Sequence, residues 1–178
     1  MRRLSIAAAL SLLLALPVSS TAGRGPSGAG TLSVRNGRGE IVLQIKGAVL
    51  GRLAVGRLTV TDNDPYDEQQ PEIYGAIHPK PRPLSDSTTV YKGRHLRFRV
   101  LEGTYRLRLE GKGIHLSAVG RGWVVLDGDD RFERNGVYSL NGDQYEPIPW
   151  DRTPKLKIQE SSEPPGKPGS GPGVILGP

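Results

Sequence analysis

The stretch LSVRNGRGEIVLQIKGAVLGRLAVGRLTV, residues 32–60, lies without a gap over LRFRVLEGTYRLRLEGKGIHLSAVGRGWV, residues 96–124, at an offset of 64. Ten of the 29 positions are identical, where a glycine-rich composition gives about two by chance. Leu43 falls on Leu107, Gly47 on Gly111, and Ala54-Val55-Gly56-Arg57 on Ala118-Val119-Gly120-Arg121. Self-similarity at a fixed offset is the mark of a repeated structural unit.

Within each copy apolar residues recur every second position, as in Ile41, Leu43, Ile45 and in Tyr105, Leu107, Leu109. Period two places alternate side chains on opposite faces of a strand, so one face is buried and the other wet. Glycine clusters at Asn36-Gly37-Arg38-Gly39, Glu102-Gly103, Gly111-Lys112-Gly113 and Gly120-Arg121-Gly122 read as tight turns, because glycine supplies the positive φ of short hairpins. No window has helical periodicity. A meander of about four short strands cannot cover its own apolar face, but two such meanders can cover each other. The expected fold is all-β: two related β-meanders packed as a β-sandwich or small barrel with internal pseudo-two-fold symmetry.

The ends set the boundaries. Arg2 and Arg3, the apolar run Leu4–Leu16, Pro17 and the small residues up to Ala22 have the order of a secretory signal peptide cleaved near Ala22. Residues 23–30 read as a flexible segment and 31–150 as the duplicated β domain. That domain holds repeats at 31–62 and 95–127, a connecting loop over 63–89, and a closing strand and cover over 136–150. From Asp151 onward Pro, Gly, Ser and charge dominate, which predicts a disordered tail over 151–178. The mature chain is expected to be secreted or associated with the cell envelope, with no transmembrane segment. The chain has no cysteine, which excludes disulfides, thiolate metal sites and cysteine nucleophiles.

The Arg-, Gly- and Ala-rich composition and the duplicated Gly-Arg-x-x-Val pattern, at 56–60 and again at 120–124, resemble secreted, internally duplicated all-β proteins of high-GC bacteria. The resemblance spans residues 31–142, implies export, and carries no activity.

Chemistry is sparse. Both copies end in acid, Asp62-Asn63-Asp64 and Asp127-Gly128-Asp129-Asp130. Clustered oxygens can hold Ca²⁺, so Asp62, Asp64, Asp127 and Asp129 are the metal candidates. The same residues are ordinary turn formers, and the EF-hand spacing is absent. No other cofactor is expected. An acid dyad of Asp62 and Asp127 lacks the flanking hydrophobic-Asp-Thr/Ser-Gly motif. No G-x-S-x-G occurs, and His78, His95 and His115 have no metal-ligand spacing. The chain therefore reads as no enzyme, the rivals being a hydrolase of envelope polysaccharide working through those strand-end aspartates and a calcium-stabilised structural module.

The second copy carries a basic face. Arg97 and Arg99 alternate against Leu96, Phe98 and Val100, and Arg106 and Arg108 against Tyr105, Leu107 and Leu109. Hairpin pairing would set all four on one side of a sheet. With a net charge of +6 and a pI near 9.8, anionic partners follow: wall polymer, acidic polysaccharide, lipid headgroup or, least favoured, nucleic acid. A plain solvated sheet face accounts for the same charges. Trp123 is out of phase with Val124 and so faces away from the core, either as a stacking platform or covered by Pro147-Ile148-Pro149-Trp150. The expected role is a binding or structural one at the cell envelope, through Arg97, Arg99, Arg106, Arg108 and Trp123.

Overall fold

The computed structural model describes residues 28–65, 70–77 and 82–159. The expected leader, most of the segment after it, the His78-Pro79-Lys80-Pro81 run and the tail beyond Gln159 lie outside these residues. Eight strands follow in chain order: β1 (Gly30–Asp62), β2 (Glu72–Ile77), β3 (Arg82–Ser85), β4 (Thr88–Val100), β5 (Thr104–Gly128), β6 (Val137–Leu140), β7 (Glu146–Pro147) and β8 (Leu156–Ile158). They form one open antiparallel sheet in the order β2-β4-β1-β5-β8, with β3 on β4, β6 on β1 and β7 on β6. Among the described residues there is no helix, and so none long and apolar enough to cross a membrane.

All-β architecture is as the period-two pattern implies, but the strands are not short. β1 runs 33 residues and β5 25. Glu102-Gly103 is a bend between β4 and β5, which run on in one direction antiparallel to β1, from Val49/Val100 to Lys46/Thr104, and the other three glycine clusters lie inside strands. There they permit bending and close contact rather than reversal. β1 and β5 pair with each other twice. Residues 30–46 run against 120–104, and residues 39–62 against 128–105. Leu43 thus has Leu107 on one side and Val124 on the other, while Leu107 has Leu43 and Val60. A strand bordered on both sides by the same partner must coil, and glycines at the crossings make room. Gly47 (φ +152°) lies on the backbone of Val119 and Gly120, and Gly111 (φ +148°) on that of Val55 and Gly56.

The alternation slips by one residue where the strands bulge. Buried positions in β1 pass from Leu32 and Val34 to Ile41, Leu43, Ile45, Val49 and Leu53, then to Leu58 and Val60. In β5 they pass from Tyr105, Leu107 and Leu109 to Ile114, Leu116 and Ala118. Each slip coincides with a break in pairing, near Asn36, Ala54 and Gly113, as a β-bulge requires. Because the strand bends at the same places, the apolar side stays on one continuous core. Phe98 illustrates the fit: its ring lies over Gly51, where any Cβ would collide with it.

Two boundaries differ from the sequence reading. The connecting loop 63–89 contains β2 and β3, which extend the sheet along β4. The sheet also continues past residue 150. β8 pairs with Gly122–Val124 of β5, and Ile158 is buried in the core. Alternation in Lys155-Leu156-Lys157-Ile158 is what earns this strand its place.

Candidate anion-binding surface

Trp123 stands in β5 between Gln44 of β1 and Lys157 of β8. Its neighbours Val124 and Leu126 are buried, so Trp123 points to the outer face. It is half-buried there, and its cover is not Trp150, which is 59% exposed. Ile148 of the expected cover enters the core instead. The cover is Lys155, whose Nζ lies 4.5 Å from the ring centroid, joined by the Arg106 guanidinium at 5.9 Å. Cations over an indole face are attracted by its quadrupole.

The next row on the same face places Lys46 opposite Arg121. Arg121, Trp123, Lys155 and Lys157 line a cleft of about 570 Å³. Five cations, Lys46, Arg106, Arg121, Lys155 and Lys157, therefore gather about one indole. Among the described residues none of the five is in an ion pair.

The other arginines of the expected basic face differ. β4 and β5 do not pair, because β1 lies between them, so Arg97 and Arg99 do not join Arg106 and Arg108. Arg106 lies opposite Thr61 and Gln44, and Arg108 opposite Thr59 and Val42. Arg99 donates to Glu72 at 2.9 Å. The Tyr74 hydroxyl and then Arg99 hold the Glu72 carboxyl below its ordinary range. Arg108 binds Glu40 at 2.7 Å and Glu110 at 3.0 Å. With Arg57 on Glu110 at 3.2 Å, and Arg152 at 3.7 Å from both Glu40 and Asp127, signs alternate along one ladder. Exposed pairs of this kind contribute little stability, but they cancel charge. Arg97 has no acid beside it among the described residues; it faces Arg52 and Tyr74.

The acidic strand ends stay apart. Asp62 is opposite Tyr105, and Asp127 opposite Glu40, itself opposite Glu110, a separation along β5 of roughly 17 Å. Asp62 accepts the Asp64 N–H at 2.9 Å, an Asx turn. Asp129 is gripped at both oxygens by Arg131, at 2.8 Å each, which lowers its pKa. Among the described residues no group of three or more His, Cys, Asp or Glu could hold a metal ion.

Sequence reasoning found Arg106 and Trp123 but missed Lys46, Arg121, Lys155 and Lys157. The available signal was the alternation of 155–158, which competed with the Pro/Gly-rich composition around it. Compared with known proteins, the chain matches no family model, no curated protein and no solved structure.

Proposed function

We propose that this is an exported, non-catalytic β protein of the cell envelope that binds an anionic polymer on the surface around Trp123. The observation that carries this is the gathering of Lys46, Arg106, Arg121, Lys155 and Lys157 about a half-buried indole with no carboxylate among the described residues paired to them. Acids and bases are interleaved instead along the Arg57-Glu110-Arg108-Glu40-Arg152-Asp127 ladder. An unneutralised row attracts a polyanion by displacing counterions, and the indole offers an apolar face for a sugar ring.

The scaffold is a duplicated unit whose two related halves cover each other as a β-sandwich about a pseudo-two-fold axis. The registers support this. Exchanging residues 32–60 with 96–124 turns the Leu43–Val124 pair into Leu107–Val60 and leaves Leu43–Leu107 as itself, and both ladders of β1 on β5 contain those pairs. The crossing glycines obey the same exchange, Gly47 on Gly120 becoming Gly111 on Gly56. Of the residues around Trp123 only Arg121 follows it, falling on Arg57: Trp123 corresponds to Thr59, Arg106 to Val42 and Lys46 to Glu110, and Lys155 and Lys157 lie beyond the second copy.

Retention on immobilised heparin, a sulfated polysaccharide, tests the polymer-binding role. Neutralising Arg106, Lys155 and Lys157 with glutamine should move elution to lower salt, and so should Trp123→Ala. Arg99→Gln and Arg108→Gln should elute as the parent does, because those guanidiniums are already paired. Equal shifts in both sets, or none in the first, would sink the assignment of the surface.

A further inference from the structure

A second cationic site lies elsewhere on the sheet and shares no residue with the Trp123 surface. Arg52 of β1 has Arg97 of β4 on one side and His115 of β5 on the other. Cross-strand partners share a face, so three basic side chains stand in one row. Like charges directly opposite each other destabilise a sheet, and among the described residues neither arginine has an acidic partner. His95 joins them, and together with Asn36 and Gly113 they border a recess of about 270 Å³. Among the described residues no Asp or Glu is in its wall.

The recess exists because three neighbouring segments break pairing at one level. His95 (φ +54°), Asn36 (φ +51°) and Gly113 (φ +64°) are all left-handed. Bridges skip from Leu53/Leu96 to Val55/Arg94 and from Arg52/His115 to Val55/Lys112. Asn and His tolerate this conformation better than most residues, yet each is strained by it. Strain and uncompensated charge thus occupy the same spot. Strained backbone concentrates at functional sites.

We propose that this corner is a binding site for a phosphate dianion, free or as a terminal monoester, held between Arg52 and Arg97 with His115 and His95 donating from either side. Guanidinium forks match the spacing of two oxygens on a tetrahedral anion. Two negative charges offset the Arg52–Arg97 repulsion, which a carboxylate would only half offset. The recess falls below the roughly 300–1,000 Å³ of pockets that enclose whole organic ligands, so it admits a headgroup and leaves the remainder outside. The site stands whether or not the Trp123 surface binds polymer.

The test is an NMR titration of the His115 and His95 imidazole protons in the full chain. Inorganic phosphate should shift both signals saturably, phenyl phosphate should do the same, and dimethyl phosphate, a monoanion, should bind about tenfold more weakly. Failure of phenyl phosphate where inorganic phosphate succeeds would restrict the site to the free ion and overturn the monoester half of the assignment. The double variant Arg52→Gln/Arg97→Gln should abolish the shift while keeping the parent's circular dichroism and heparin retention. The site is overturned if phosphate leaves both histidines unmoved in the parent, if acetate binds as well as phosphate, or if the double variant still binds. It is equally overturned if the Arg106, Lys155 and Lys157 triple variant, not the double one, loses the response.

Discussion

Gly47→Ala and Gly111→Ala probe the crossing of the two long strands directly. Both glycines have φ in a region that L-residues avoid, +152° and +148°, a strain of about 1–3 kcal/mol for any side chain. At Gly47 an added Cβ would also meet the Val119 carbonyl and stand 2.8 Å from the Gly120 Cα; at Gly111 the partners are the Val55 carbonyl and the Gly56 Cα, again at 2.8 Å. Those contacts are backbone and cannot swing away, so the strands must part. Gly142→Ala separates the two costs, because Gly142 has φ +88° and open space around it. Gly142→Ala should lose about 1 kcal/mol. Each crossing variant should lose about 3–5 kcal/mol, the range of severe single-site effects, and Tm should fall by about 10 °C or more. Calorimetry and urea unfolding measure both. If Gly47→Ala costs no more than Gly142→Ala, the close crossing is not a constraint. If Gly47→Ala and Gly111→Ala differ by more than about 1 kcal/mol, the two halves are not equivalent where equivalence matters most.

Three further outcomes are expected. Five polymer contacts, at about 0.7 released counterions each, give a slope near −3.5 for log affinity against log salt, and Arg106→Gln should reduce it by about 0.7; a salt-independent affinity would contradict an electrostatic surface. Burial first, then the nearby Arg52, lowers the His115 pKa from its ordinary 6.5, so the unfolded chain binds the extra proton more readily. Stability should therefore fall as pH drops through and below 6.5; His115→Gln should flatten that part of the Tm profile, and phosphate should lessen the loss in the parent. Asn135 is 2% exposed with neither amide atom hydrogen-bonded; Asn135→Leu removes an unsatisfied amide at similar volume and should raise stability by about 1–3 kcal/mol, a lower Tm counting against an unpaired amide.

Strand character was legible because alternation is local: Leu43 and Leu107 declare their face two residues at a time. Partner choice was not, because it depends on where a strand bends. Asn36-Gly37-Arg38-Gly39 and Gly111-Lys112-Gly113 have the composition of hairpin turns, and glycine serves equally for a reversal or for a crossing of backbones. Only the one-residue slip in the buried pattern, from Leu53 to Leu58 and from Leu109 to Ile114, distinguishes a bulge from a turn, and it can be read in the sequence. The basic face failed for the same reason. Placing Arg97 and Arg99 beside Arg106 and Arg108 assumed that adjacent strands in the chain pair, but β1 comes between them.

Charge is the part of this molecule that departs from its repeat, and that departure is where recognition is best sought. Core positions such as Leu43 and Leu107 must match because they pack against one another across the Leu43–Leu107 pair. Outer positions are under no such demand, and the copies differ there, Thr59 against Trp123 and Gln44 against Arg108, while outer His115 falls on Gly51, which lies under the Phe98 ring. Two of these differences, Trp123 and His115, stand among cations that have no acid beside them among the described residues. The third, Arg108, is cancelled by Glu40 and Glu110. A sheet face that only needed to be wet would neutralise its charges as that ladder does. Carrying two unneutralised clusters costs stability through self-repulsion, and an anionic ligand at each is the partner that would offset it.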